Sequence, residues 1–582
     1  MSRIAGRVRL HGAPVDDDVR QWAVCSAEGA WIAGDIRIDA RDELCAALEA
    51  AGRRSAREAS DAELILHAWH AWGEGCAARL LGDFAFAIWD ARKRTLFCAR
   101  DQFGIRPFYY ARLRASGATA EQAAAGDTLV FSNTLEAILQ HPGVPGGLNE
   151  SAIADFLLFG YTRNPADTAF AGVHALPPGH CLVCERGEVR VSRYWSLDAE
   201  PVRFRRPADY PRRFNELLDA AVADRLRDVP RAAILLSGGL DSPSIAASAV
   251  TAARATRLEA FTYVYDRLIA HDERQWAGMV GEHLEIPIEY IEMDEYGLYR
   301  SPKGLRYDPS DDCQARTPEP IDNPLWALPV DVFRRVAAAG HRVLLCGEGG
   351  DASCAPGRML PALLRTGRLW PIARDIVSYW KEHGRRPPLG LGSWLIAGSR
   401  RPNPESRIPI PGWLNPDLVR RLNLRERWAD AQAEDERDEP AGEAFRELRS
   451  SFWPWCLLLM DAGWTRSPVE VRYPFFDLRL VRFLLGVPGV PWSHDKELLR
   501  AAARSRLPRE VCARPKTPLS DDPVAVLFRR DGPPPVVDAG GALWQFVDRD
   551  AFTRAWQADP SAPGWQREPV TRPLSLGRWL AG

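Results

Sequence analysis

The sequence predicts a two-domain chain, α+β in front and α/β behind, on three observations. Its 582 residues suffice for two to four cores at roughly 150 residues per domain. Residues 1–200 read as short strands with a few helices. From residue 208 to 582 strands and helices alternate, which implies a parallel sheet covered on both faces.

In the first part, Ala85–Trp89, Thr95–Ala99 and Thr128–Ser132 are strand-like runs bounded by turn residues. Ser60–Trp72 has helical apolar spacing, with Ser60 placed to cap it. A hairpin follows, Cys181–Cys184 and Val189–Tyr194 about a turn at Arg186-Gly187. Pro201–Pro211, rich in arginine and proline, reads as the connection between domains. Beyond it come a helix over Phe214–Leu226, a buried strand over Ala232–Leu236 and a helix over Ser242–Ala255. The alternation continues with strands at Ala260–Tyr265, Ile288–Met293 and Val343–Cys346, and helices at Glu273–Leu284 and Val330–Ala339. The stretch 360–450 is Arg-, Pro- and Trp-rich and expected to be helical, with acidic Glu434–Glu443 as an exposed loop. Trp453, Trp455 and Trp464 are expected to pack between helices or to line a cavity.

Composition narrows the function. Lys+Arg number 75 and Asp+Glu 77, a net charge of −2, which removes the strongest reason to expect a nucleic-acid partner. Only five of the 75 bases are lysines (Lys93, Lys303, Lys381, Lys496, Lys516), so each surviving lysine stands out. Eleven cysteines include one CxxC, Cys181 and Cys184, with no second pair at zinc spacing, so small apolar core residues are expected rather than a metal site. The N-terminal stretch has no apolar signal-peptide core, and Leu457–Met460 is far too short to span a bilayer. The expectation is a reduced, cytoplasmic protein without membrane association.

The chemistry concentrates in two loops. In Ile234-Leu-Leu-Ser-Gly-Gly-Leu-Asp-Ser242, an apolar strand runs into Ser237-Gly238-Gly239, and Asp241-Ser242 opens a helix. Glycines let backbone amides approach an anion, a helix N-terminus adds positive partial charge, and the serines add hydroxyl donors. Asp241 would repel phosphate unless Mg2+ bridged them. Neither GxxxxGK[ST] nor GxGxxG is present. The second loop, Val343-Leu-Leu-Cys-Gly-Glu-Gly-Gly-Asp351, again ends a buried strand at the sheet's carboxyl edge.

The first loop resembles the SGGxDS pyrophosphate loop of ATP-pyrophosphatases, which split ATP to AMP and pyrophosphate to activate a substrate oxygen. The second resembles the nucleotide-closing loop of asparagine synthetases, except that Ala352 and Ser353 follow where an acid is usual. A third stretch, Val469-Glu-Val-Arg-Tyr-Pro-Phe-Phe-Asp477, resembles that family's E-x-R-x-P-F-L-D segment, continuing through Lys496-Glu-Leu-Leu-Arg500 and Arg514-Pro-Lys516. The resemblance implies ATP and Mg2+ as cofactors. It implies phosphate contacts from Ser237, Gly238, Gly239 and Ser242, magnesium on Asp241 and Asp351, and nucleoside contacts from Leu235, Tyr263, Cys346 and Gly347. Glu348 falls at the acid–base position, Lys516 is expected to stabilise the charge developing at phosphorus, and Lys496 to position the helix it starts.

The front part, through Leu81–Asp90 and Ala99–Tyr109, resembles the class II glutamine amidotransferase domain. The implied fold is an N-terminal Ntn-hydrolase-like αββα sandwich, followed by a C-terminal doubly wound parallel-sheet ATP-pyrophosphatase domain with added helices. That domain's nucleophile is a cysteine exposed after methionine removal, where this chain has Ser2, and its Asn-Gly-Glu oxyanion motif aligns with Ala33-Gly34-Asp35; Asp61 remains at the glutamine-binding position. The expectation is an inactive glutaminase and an amine from another source. Gly34–Leu44, Asp272-Glu273, Pro318-Glu319-Pro320 and Arg514-Pro-Lys-Thr517 look most like lasso-peptide cyclases (macrolactam synthetases), which join a peptide's N-terminal amine to its own Asp or Glu side chain. That branch implies a precursor peptide, a leader peptidase and a leader-recognition protein as partners. An ammonia-dependent asparagine synthetase or a β-lactam-synthetase-like ligase is the alternative, although tyrosine is expected in β-lactam synthetases where Glu348 stands.

Overall fold

The computed structural model describes residues 5–9, 25–53, 57–113, 127–270, 273–300, 317–354, 377, 380, 409–436, 443–492, 496–515, 519–557 and 570–582. They form two compact units. The first comprises residues 1–196 together with 318–320 and 451–466, and the second the remainder.

In the first unit, strands β2 (Cys25–Ala27), β3 (Ala30–Ile38), β4 (Gly82–Asp90), β5 (Thr95–Arg100), β9 (His180–Glu185) and β10 (Glu188–Arg193) make an antiparallel sheet in the order β10-β9-β5-β4-β3-β2. A second antiparallel sheet has the order β1-β7-β6-β8, from Ala5–Arg9, Thr128–Ser132, Tyr109–Leu113 and Val173–Ala175. The period-2 alternation of β4 builds the layers. Phe84, Phe86 and Ile88 point to one side, against Leu64, Ile65 and Trp69 of the helix Asp61–Trp72. Ala85, Ala87 and Trp89 point to the other, against Leu129 and Phe131 of the second sheet and Phe108 just before one of its strands. Tyr109, Ala111 and Val130 then face the short helix that carries Leu135 and Ile138. The result is the expected αββα sandwich. Ser60 caps the helix as its residue type predicts, accepting the Glu63 N–H while Glu63 accepts the Ser60 N–H.

Cys181 and Cys184 are buried on opposite faces of β9, one among the helices and one between the sheets, so they cannot ligate one ion. Trp453 and Trp464 are buried and belong to the first unit, where Trp455 and Phe452 pack on Tyr161. They are packing residues, not part of the second unit.

The second unit holds five parallel strands: β11 (Arg231–Leu235), β12 (Arg257–Val264), β13 (Ile288–Glu292), β14 (Val343–Leu345) and β15 (Glu470–Arg472). Their order is β13-β12-β11-β14-β15. The chain therefore winds outward from β11 in one direction, then returns to β14 and winds the other way. Helices Asp209–Leu226 and Asp241–Ala252 close around Ile234 and Leu345 through Phe214, Leu218, Val222, Ile245 and Ala249. Helix Leu424–Glu436 runs into the stretch expected as an acidic loop, where alanine and glutamate, both good helix formers, outnumber the weaker aspartate. Residues 437–442 lie outside the described residues. Among the described residues no helix is long and apolar enough to cross a membrane.

One buried ion pair ties two helices of this unit together. Arg225 and Asp477 lie 3.1 Å apart with side chains 1% and 3% exposed, and Arg479 bonds the same carboxylate. Burial pushes the Asp477 carboxyl up, but Arg479 and Arg225 outweigh it and hold it below the usual carboxylate range. Asp477→Ala strands a buried guanidinium and is expected to cost about 3–5 kcal/mol in urea denaturation. Because the native pKa is depressed, the pair's contribution is present at neutral pH and is lost as pH falls through that lowered value. The gap between wild type and variant should thus hold from neutrality down and close only below about pH 4.

Candidate active site

In a doubly wound sheet, ligands bind outside the carboxyl ends of the strands where the winding reverses. Here that point lies between β11 and β14, which pair through Ala233–Leu344 and Ile234–Leu345. Both glycine-rich loops leave those two strands at that edge, Ser237–Ser242 from β11 and Cys346–Asp351 from β14.

The first loop is tied from within. The Ser237 N–H donates to Ser242 Oγ at 2.9 Å, the two hydroxyls lie 3.0 Å apart, and the Gly239 N–H donates to Ser237 Oγ at 3.3 Å. The helix Asp241–Ala252 has Leu240 at its N-cap and no side-chain cap, so its first turn keeps its character as an anion-binding end. The second loop reaches the first because glycines stand at the contact. A Cβ on Gly347 would lie 3.2 Å from the Ser242 nitrogen, and one on Gly350 2.6 Å from Asp241 Cγ. Gly349 adopts φ +89°, and a Cβ there would meet Phe476 at 2.6 Å.

Asp241 and Asp351 come together at a cation. The Lys496 ammonium lies 2.5 Å from Asp241 Oδ2 and 2.6 Å from Asp351 Oδ1. Burial pushes the Lys496 pKa down, but the two carboxylates prevail and raise it, so the ammonium stays charged. Lys496 sits at the N-cap of the helix Glu497–Ala503 with φ 54°. Glu348 reaches solvent but is flanked closely by protein; partial burial, then Asp241 and Asp351, raise its carboxyl above the ordinary value. Tyr263 on β12 is half-buried, and burial with Cys346 nearby raises its hydroxyl. Leu235 ends β11 half-buried, and Cys346 is buried, its N–H donating to the Arg472 carbonyl at 3.1 Å.

The structure thus brings together Ser237, Gly238, Gly239, Asp241, Ser242, Gly347, Glu348 and Asp351, with Leu235, Tyr263 and Cys346 at the adjoining strand ends. Lys516 lies outside the described residues, as does Asp272. Sequence reasoning assigned Lys496 to helix positioning; the structure places it between the two acids. Its rarity in an arginine-rich chain was the available signal. Among the described residues no three His, Cys, Asp or Glu side chains form a self-sufficient metal cage. Asp241 and Asp351 nevertheless hold one ammonium between two carboxylate oxygens, which is the donor set a hard divalent cation takes when phosphate supplies the remaining oxygens. Ala352 is wholly buried and Ser353 bonds the Gly349 carbonyl, so the acid usual after Asp351 has no solvated place here.

In the first unit, Ser2 lies outside the described residues. Gly34 sits in β3 where a Cβ would meet Ile36 Cδ1 at 2.3 Å and Phe86 Cβ at 2.9 Å. Asp35 pairs with Arg106 at 3.7 Å. Asp61 accepts the Ile38 N–H at 2.9 Å and is ion-paired with Arg41.

Comparison with known proteins identifies both parts of the chain. A glutamine amidotransferase domain model matches residues 4–195, and the asparagine synthase model matches residues 213–581. The chain is 26% identical over 501 residues to a glutamine-hydrolyzing asparagine synthetase of Bacillus subtilis (strain 168), covering 82% of this chain and 73% of that protein. A second such synthetase of the same strain is 24% identical over 494 residues, covering 79% of this chain and 58% of its own length. A putative glutamine-hydrolyzing asparagine synthetase of Mycobacterium tuberculosis (strain ATCC 25618 / H37Rv) is 28% identical over 497 residues, covering 78% and 69%. The chain belongs to the asparagine synthase family, as an ATP-dependent, amide-forming ligase carrying a glutamine amidotransferase-like first domain.

Proposed function

We propose that this ligase is a lasso-peptide cyclase, closing a macrolactam ring between a peptide's N-terminal amine and an Asp or Glu side chain of the same peptide. The observation that carries the reading is the contrast between the two domains. The ATP site keeps both glycine loops and both acids in one place. The glutaminase positions have Ser2 for the cysteine nucleophile, Ala33-Gly34-Asp35 for the oxyanion motif, and an Asp61 engaged by Arg41. Losing a nucleophile and an oxyanion donor would each cost orders of magnitude in rate, which leaves the amine to come from the acceptor molecule itself. Precursor peptide, leader peptidase and leader-recognition protein are the partners this reading requires.

The reaction runs in two displacements. ATP lies with its phosphates on the Ser237–Ser242 loop and its nucleoside toward Leu235, Tyr263, Cys346 and Gly347. Asp241 and Asp351 would hold Mg2+, which when bound neutralises phosphate charge. A carboxylate oxygen of the peptide attacks the α-phosphorus, forming an acyl-adenylate as the bond to pyrophosphate breaks. Lys496 stands where that charge develops, and Lys516 is the second cation of the motif. The peptide's amine, with an ordinary pKa of about 7.7–8.0 and so partly neutral near pH 7, then attacks the acyl carbon. AMP departs and Glu348 takes the amine's proton.

The test is mass spectrometry of small peptides from cells co-expressing this protein with its precursor and protease, wild type against Asp241→Ala. A peptide lighter by one water, resistant to exopeptidase and missing with the variant, is expected. If precursor and protease are present and no such peptide forms, ring closure is wrong. Aspartate-dependent pyrophosphate release with ammonia would then favour the asparagine synthetase alternative.

Glu348 gives a second prediction. Its raised pKa means that falling pH protonates it, and disables it as a base, sooner than it would an ordinary glutamate near 4.3. Ring closure should therefore rise with pH along a limb set above that value. Glu348→Gln should remove that limb and slow closure about 10²–10⁴-fold, while ATP–pyrophosphate exchange persists.

A further inference from the structure

An acid from outside both glycine-rich loops is bonded to the Ser237–Ser242 loop. Glu273, the first residue of the helix Glu273–Leu284, accepts the Gly238 N–H on Oε1 at 2.5 Å. Its other oxygen lies 3.2 Å from Arg514 Nη1. The Arg514 guanidinium stacks over Trp276 at 4.9 Å from the ring centre, and its side chain is only 9% exposed. Arg514 sits against the loop itself, for a Cβ on Gly238 would fall 2.4 Å from Nη1 and 2.2 Å from Trp276 Cβ. Arg500 fixes this placement, donating to the carbonyls of Cys512 and Arg514 at 2.8 Å each. Arg500 rides on the helix that Lys496 begins.

A carboxylate bonded to a backbone amide of a phosphate-binding loop, with a guanidinium on its far side, is what phosphate itself would look for there: an N–H, a fixed planar cation and a concave backbone. We propose that Arg514 is a pyrophosphate-binding residue of this site, and that Glu273 holds its place until the β- and γ-phosphates displace the carboxylate from Gly238. The exchange trades one anion for another, so the loop and Arg514 are never left without a counter-charge. Glu273 is a positioning residue acting through Arg514 and Gly238, whereas Arg514 touches the departing group. The inference rests on the ATP site proposed above and deepens it.

The experiment is calorimetric binding of inorganic pyrophosphate with magnesium, and separately of adenosine, to the full chain. Glu273→Gln keeps an acceptor for Gly238 but removes the competing charge, and should tighten pyrophosphate binding 3–10-fold. Arg514→Gln should weaken it at least tenfold, with Arg514→Lys in between, because lysine retains charge without the fork. Adenosine should bind all four proteins alike, which also shows that the variants are folded. Pyrophosphate binding by Glu273→Gln that is unchanged or weaker, or wild-type binding by Arg514→Gln, overturns the inference. If wild type binds neither pyrophosphate nor ATP while its adenosine site is intact, it is the ATP reading that fails. If Asp241→Asn alone loses pyrophosphate, that reading stands and only the inference falls.

Discussion

The site depends on one ammonium between two carboxylates. Asp241 and Lys496 are 255 residues apart in the chain, and Asp351 comes from a third segment. Like charges facing one another repel, and a cation between them offsets that repulsion. Lys496 supplies that cation, and its own raised pKa keeps it charged through the physiological range. The arrangement therefore draws Asp241, Asp351 and Lys496, from three segments of the chain, to one point. Its geometry requires glycine at positions 347 and 350, since a side chain at either would push the second loop off the first.

Behind the site stands a segment whose resemblance to a family motif suggests chemistry but whose contacts are structural. Glu470 and Arg472 pair side by side on β15, and Arg472 also bonds the Arg225 carbonyl. The Arg472 carbonyl in turn receives the Cys346 N–H, which fixes where the second loop leaves its strand. Asp477 caps the helix Leu478–Gly486 while neutralising Arg225. Buried ion pairs gain little net stability over apolar packing, but a half-broken one is costly, so such a network specifies one register for β14 and β15.

Local signals in the sequence were enough for most of the fold. Ser60 capped its helix because its hydroxyl and the acid three residues on serve adjacent N–H groups, a rule that needs no tertiary context. The alternation of β4 and the strand–loop–helix at Ser237 were legible for the same reason. What stayed hidden depends on partners far along the chain. Nothing local tells that 318–320 and 451–466 join the first unit, or that Trp453 and Trp464 pack there. Nor does anything near Lys496 reveal the two acids it meets, and its place at the start of a helix made a structural role the natural reading. Glu273 and Arg514 lie 241 residues apart, and only the sheet's winding makes them neighbours at Gly238.

The first domain shows how far its core is independent of the residues at the glutaminase positions. Ala33 is buried between the two sheets, and Gly34 lies under Ile36 and against Phe86. At these positions the sandwich asks for small residues in a strand, and an alanine satisfies that demand as well as a polar donor does. The stability of the layers resides in the alternation of Phe84, Phe86 and Ile88 with Ala85, Ala87 and Trp89, none of which a glutaminase needs for catalysis. Asp61 is ion-paired with Arg41 and accepts the Ile38 N–H, contacts that tie its helix to the strand. The packing of the layers thus does not depend on which residues stand at positions 33–35 for chemistry. In the second domain the acids and the cation are bound to one another: Asp241 and Asp351 share the Lys496 ammonium, so removing the lysine would leave two carboxylates facing each other without a cation.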